Sequence, residues 1–281
     1  MSRWGFLFMQ WLKRDLAGRY RGSLLGMLWP VAQPLAQIAV FTLIFHGFMQ
    51  VSWPVGGAAG AVATGVAQAQ AAQGAAATGA PSGAWAYALN VFAGLAVFNF
   101  FAEVLGRAPT AVLGQPNLVT KVRFPLLLLP AVTVGAALVH VGVGAVLLGA
   151  ATLLTGTLTP QVAWLPLWLA PVLLYGASLA LLLASLGVYV RDIGQMMSAL
   201  TSLLMFLTPI FYPLSAVPPS LRGLFELNPV AWAADSLRGL LLEGRALELS
   251  PWAVHLGVSA AAALAAAWVF RRLQGGFADV L

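Results

Sequence analysis

The 281 residues are 60% hydrophobic and only 8% charged, a balance that would leave a water-exposed surface without charge and so excludes a soluble domain of this size. The net charge of +6 would suggest nucleic acid in a soluble protein, but here the basic residues flank apolar stretches, which points to membrane orientation instead. With no cysteine, disulfides, thiol catalysis and cysteine metal sites are excluded as well, and an all-α polytopic membrane protein is the class that remains.

No cleavable signal pattern is expected at the N-terminus, because the first apolar run, Leu24 to about Gln50, is too long for a signal core. Ahead of that run, Phe8, Trp11, Leu12 and Leu16 recur at helical spacing, with Gln10, Lys13, Arg14 and Arg21 on the other side. This predicts a basic amphipathic helix over residues 1–23, lying along a membrane surface. After Gly22 no Asp, Glu, Lys or Arg occurs until Glu103, so the chain turns from surface to interior at an elbow. Periodicity alone is equally served by a simple interfacial anchor.

A helix needs roughly 20 apolar residues to cross the hydrocarbon core, and six stretches qualify: Leu24–Gln50, Tyr87–Gly106, Leu126–Leu154, Trp164–Val190, Met196–Pro213 and Pro251–Phe270. In the first, Pro30 and Pro34 predict a bend, and Gln33 and Gln37 lie one turn apart, followed by Phe41 and Phe45. Amides are costly in lipid, so this face should meet protein or water. Interhelical hydrogen bonding and a sugar pathway of amides and rings both suit it. Residues 51–86 hold a low-complexity Ala/Gly stretch that predicts a flexible external loop; a seventh crossing there would move Arg107, Lys121 and Arg123 to the wrong side.

Glu103 stands four residues before Arg107 at the end of the second span, a spacing that favours an ion pair at the membrane edge over a proton site. His140 in the third span has no acidic or thiol companion in the sequence, and packing or hydrogen bonding fits it better than a metal. The fifth span ends in Thr208, Pro209, Phe211, Tyr212 and Pro213, two prolines that leave backbone groups unpaired. Residues 214–250 are too charged to cross and divide into two short amphipathic helices. Pro218 and Pro219 open the first; Asn228 caps the second, Pro229 is its first residue and Gly244 its stop. Val230, Ala233, Ala234, Leu237, Leu240 and Leu241 share one face of that second helix, with Asp235 and Arg238 elsewhere. The last span is dense in alanine from Ala260 to Ala267, which predicts close helix packing. With both termini on the cytoplasmic side, eleven basic residues fall inside and three outside (Arg222, Arg238, Arg245), in agreement with the positive-inside rule.

Five stretches carry a resemblance: RDLAGRYRGSLLGMLWP from Arg14 to Pro30, QPNLVTKVRFP from Gln115 to Pro125, YVRDI around Arg191, TPIFYPLSAVP with LNPVAWAADSLRG, and the terminal FADVL. In this order they resemble the ABC-2-type permeases that export capsular polysaccharide and O-antigen. The resemblance implies six transmembrane helices per protomer, an interfacial elbow and a re-entrant external hairpin between spans five and six. It also implies a homodimer with two ATP-binding subunits, a channel between the protomers, and residence in the inner membrane with both termini cytoplasmic. The implied cargo is lipid-linked polysaccharide, capsular first, with O-antigen, teichoic acid or a small molecule as alternatives. A periplasmic co-polymerase or outer-membrane exporter is a further implied partner; the Ala/Gly-rich loop is longer than the resembled family has, and idle disorder suits it first, with contact to such a partner as the alternative.

No phosphate loop of the form GxxxxGK[ST] occurs, and Lys13 and Lys121 are the only lysines, so ATP and magnesium are expected on a partner subunit and no enzyme activity on this chain. On the resemblance, the substrate path comprises Trp29, Gln33, Gln37, Phe41, Phe45, Phe206, Phe211 and Tyr212. Coupling to the ATPase falls to Arg14, Asp15, Arg19, Arg21, Lys121 and Arg123. The external gate comprises Pro209, Pro213, Asn228, Trp232 and Arg238. A gradient-driven carrier is disfavoured by the scarcity of acids within the spans. A membrane enzyme would need an acidic constellation, and Glu226, Asp235, Glu243 and Glu248 are spaced more like helix surface charges.

Overall fold

The structure, a computed structural model, describes residues 3–22, 24, 26–44, 83–121, 124–154, 156, 158–212 and 217–281. The greater part of the predicted Ala/Gly loop, the end of the first span, Phe45, Arg123 and Pro213 lie outside the described residues, as do the side chains of Arg222 and Glu226. Among the described residues there is no strand. The main helices are α1 (Arg3–Tyr20), α2 (Trp29–Phe41), α3 (Gly83–Arg107), α4 (Leu128–Leu154), α5 (Leu165–Tyr189), α6 (Ile193–Leu207), α7 (Pro219–Leu227), α8 (Pro229–Arg238) and α9 (Leu249–Leu273).

Among the described residues, four helical segments are long and apolar enough to cross a membrane: Trp85–Arg107, Leu128–Leu154, Pro160–Tyr189 and Leu249–Val280. Two of the six expected spans correspond to shorter apolar helices, Trp29–Ile44 and Ile193–Leu207. The shortening of α6 against the expected Met196–Pro213 has a local cause. Pro209 has no N–H to continue the helical ladder and drives Thr208 into extended backbone, φ −109° and ψ 131°. The first span does not begin at Leu24 either. Gly22 and Gly26 both take positive φ, +84° and +47°, so α1 ends at Tyr20 and a separate turn precedes α2.

Helix α3 is the centre of the fold. Tyr87, Val91, Val97, Phe100 and Phe101 are all almost fully enclosed, and α2, α4, α5, α6 and α8 pack around it. Close approach needs small residues at the crossings: a Cβ on Gly176 of α5 would come within 2.5 Å of the Phe100 ring. Helix α1 lies on α4, where Phe8 sits over Gly135 so closely that a Cβ there would meet the ring at 2.7 Å. The alanine-dense α9 packs along α5 through His255, Ser259, Ala266 and Phe270, a single seam. Val254, Val258, Leu264 and Trp268 face outward, so α9 is less enclosed than its composition predicts. At the C-terminal end Phe277 is buried against Phe270 and Tyr189, which docks the tail on the end of α5.

Candidate functional site

Two clusters of polar contacts sit on α3, one near each end. Asn90 and Glu103 are thirteen residues apart in this helix, about 20 Å along its axis.

The first cluster joins α1, α3 and α4. Asp15 and Arg19 stand one turn apart on α1, and Arg19 donates from Nε and Nη2 to Asp15 Oδ2 at 3.1 and 3.0 Å. Glu103 and Arg107 are paired in the same way on α3, at 3.5 Å. The two pairs are crossed: Arg107 donates to both carboxylate oxygens of Asp15 at 2.5 and 2.9 Å, and Arg19 Nη1 meets Glu103 Oε1. His140 of α4 completes the group, its Nδ1 2.5 Å from Glu103 Oε2. The Glu103–Arg107 pair was expected from spacing. His140, in contrast, does have an acidic companion, because α3 and α4 lie side by side. Bidentate guanidinium–carboxylate contacts fix orientation as well as distance, so any movement of α1 must move α3 and α4 or break several charged bonds. Arg14 is exposed, with its guanidinium 4.8 Å from the Trp11 ring. Arg21 and Lys121 are exposed away from the crossed pairs.

The second cluster surrounds the unwound segment after α6. Its carbonyls cannot be satisfied by the helix that has just ended, and side chains from other elements take them in turn. Asn228 Nδ2 donates to Leu207 O at 3.2 Å, and Tyr87 Oη donates to Phe211 O at 3.1 Å. Arg238 donates from Nη1 to Pro209 O and from Nη2 to Ile210 O, both at 2.8 Å, while its Nε reaches Asn90 O at 2.9 Å. Arg238 is only 1% exposed, so it is buried although its position lies off the apolar face of its helix. Burial pulls its guanidinium down to about 10, opposed by Asp235, Glu243 and Tyr87, so it keeps its proton at neutral pH. The guanidinium passes directly over Gly94, where a Cβ would sit 2.4 Å from Nη2.

Helix α8 supplies Arg238 because it packs inward. Asn228 Oδ1 accepts the Val230 N–H at 2.9 Å, Pro229 follows, and Gly244 at φ +65° closes the turn after the helix. Val230, Ala233, Ala234, Leu237, Leu240 and Leu241 are all buried, and Trp168 of α5 donates to Ala233 O at 3.1 Å. The two helices of the hairpin differ, for α7 leaves Leu221 and Leu227 exposed. Trp232 stacks on His255 of α9 with centroids 4.3 Å apart, and Tyr175 Oη lies 3.1 Å from His255 Nδ1.

Of the expected path residues, Phe41 and Phe211 meet, with ring centroids at 4.6 Å. Gln37 accepts a hydrogen bond from Asn99 Nδ2 at 3.2 Å, an interhelical contact, while Gln33 and Trp29 are exposed on α2. Phe206 is exposed, and Tyr212 donates to its carbonyl at 3.3 Å. Tyr87, Asn90, Gly94 and His255 are neighbours of the expected residues that the sequence did not single out, and His140, expected to pack or hydrogen-bond, does so with Glu103. Asn90 was the one with a visible signal, a polar side chain in an apolar run. Among the described residues no group of three or more His, Cys, Asp or Glu is placed to hold a metal ion.

A family model described as ABC-2 type transporter matches residues 7–242, which include both clusters. The O-antigen export system permease protein RfbA of Myxococcus xanthus is 27% identical over 276 residues, 97% of this chain and 94% of that relative.

Proposed function

This chain belongs to the ABC-2 type transporter family, and from that premise we propose that it is the permease subunit of an ATP-driven exporter of lipid-linked polysaccharide. The observation that carries the reading is similarity along nearly the whole length to a permease named for O-antigen export. That name favours O-antigen as the cargo. Capsular polysaccharide, the cargo first implied by the sequence motifs, is the second reading.

In this scheme two copies of the permease pair with two ATP-binding subunits in the inner membrane, and α1 lies on the cytoplasmic face. Nucleotide binding pushes α1, and the crossed pairs among Asp15, Arg19, Glu103 and Arg107 pass the displacement to α3. At the far end of the same helix, Asn90, Tyr87 and Arg238 carry it to the unwound segment and the external hairpin. Trp29, Gln33, Phe41 and Phe206 stand along the route of the glycan. Amides bond sugar hydroxyls, and rings stack on apolar sugar faces.

Deleting the gene and analysing the glycans tests the reading. Export predicts loss of long-chain glycan from the surface, with the polyprenyl-linked polymer accumulating inside. Loss of the lipopolysaccharide ladder identifies O-antigen, and loss of capsule staining identifies capsule. An unchanged surface glycan profile overturns the proposal. Copurification of a stoichiometric ATP-binding subunit tests the energy source separately.

A further inference from the structure

Between α1, the start of α4 and the turn after α3 lies a cavity of about 410 Å³, within the range of small-ligand pockets, about 300–1,000 Å³. Its floor is formed by the buried Leu129, Val132 and Thr133, and the more exposed Arg14, Arg19, Arg107 and Asp15 also line it. Charge within the adjoining network is balanced: Arg19 and Arg107 are taken up by Asp15 and Glu103. Arg14 is the excess. It makes no ion pair with any described residue, and its guanidinium lies over the face of Trp11, which also borders the cavity. The surroundings set the depth. Trp4, Phe6 and Met9 of α1 are exposed apolar side chains, as in a helix that lies in a membrane interface, and the floor belongs to a membrane-length helix. A cavity at that level, mostly apolar where it is buried and lined by arginines where it is more exposed, suits a ligand with one anionic group and an attached chain.

We propose that this cavity binds the phosphate of an anionic membrane lipid, with Arg14 as the residue that selects it. The single excess cation favours a phosphodiester headgroup of bulk phospholipid. The pyrophosphate of a polyprenyl-linked cargo has the same chemistry, and the experiment separates the two. The inference rests on the chain being a membrane protein with α1 at the interface, and it is independent of what is exported.

The test reconstitutes the full-length permease in phosphatidylcholine bilayers with spin-labelled phosphatidylglycerol or spin-labelled phosphatidylcholine and measures the immobilised fraction of each. Wild type should hold an excess of phosphatidylglycerol. Arg14→Gln should reduce that excess severalfold, Arg14→Lys should keep most of it, and Arg191→Gln, an exposed arginine elsewhere, should leave it intact. Val132→Trp, which fills the floor without changing charge, should lower the excess as Arg14→Gln does. Unlabelled polyprenyl pyrophosphate that displaces the label better than an equal amount of unlabelled phosphatidylglycerol assigns the site to the cargo headgroup; equal or weaker displacement assigns it to bulk phospholipid. No excess in wild type, an excess indifferent to Arg14→Gln, or displacement by inorganic phosphate as effective as by lipid overturns the proposal.

Discussion

At the Glu103 end of α3, carboxylates and guanidiniums neutralise one another within reach of solvent, the side chains of Glu103 and Arg107 being 14% and 37% exposed. At the Asn90 end a single guanidinium is enclosed and spends its donors on three backbone carbonyls from two segments. The difference lies in what each arrangement can tolerate. Ion pairs that keep partial contact with solvent are weakened by it, screened by salt and able to re-form with shifted partners, so they suit an element that moves while staying attached. A buried cation on fixed carbonyls permits one geometry, because leaving any of those acceptors empty in the interior is costly. The unwound segment needs that rigidity, since it has no helical ladder of its own.

The sharpest break in the comparison is Arg238→Met. It should destabilise the protein by several kcal/mol, at roughly 1–3 kcal/mol for each abandoned carbonyl, seen as a large drop in melting temperature of the purified permease. Gly94→Ala forces a methyl group into the Arg238 guanidinium and should cost about 1–3 kcal/mol. Combined with Arg238→Met the two penalties should not add, because the clash disappears with the guanidinium, and additive losses in a double-mutant cycle would disprove the contact. Glu103→Gln strikes the other end. We expect about 1–2 kcal/mol, reduced from the buried-pair value because the network is partly solvated. Melting in low and high salt sharpens the contrast: the Glu103→Gln penalty should shrink as salt rises, while that of Arg238→Met should not. Asn228→Ala, which removes a helix cap and the donor to Leu207 O, should cost about 1 kcal/mol. Asp235→Asn, which breaks a surface pair with Arg245, should cost less than about 1 kcal/mol in the same melts.

Local signals read well. Asn228 and Pro229 mark the start of α8 as predicted, and Gly244 ends the helical turn Gly239–Glu243 that continues it, because caps and breakers act on their immediate neighbours. The inward face of α8 was also visible from its periodicity. The burial of Arg238 was not legible for a related reason: an arginine off the main apolar stripe of a short helix ordinarily faces water, and nothing nearby in sequence reveals carbonyls waiting 28 and 148 residues away. The same limit applies to His140, whose acidic companion lies 37 residues earlier on another helix.

Composition and hydropathy by themselves determined that this is a helical membrane protein and roughly where its apolar helices lie, while the expected fifth span ran past Pro209, where α6 has already ended at Leu207. Those outcomes depend on contacts within a turn or two of chain and on the choice between water and lipid. Which charges cross, which carbonyls Arg238 takes, and where Arg14, without an ion pair among the described residues, borders a cavity were decided only by helix packing. Such contacts depend on distances between segments remote in sequence, and no local spacing encodes them.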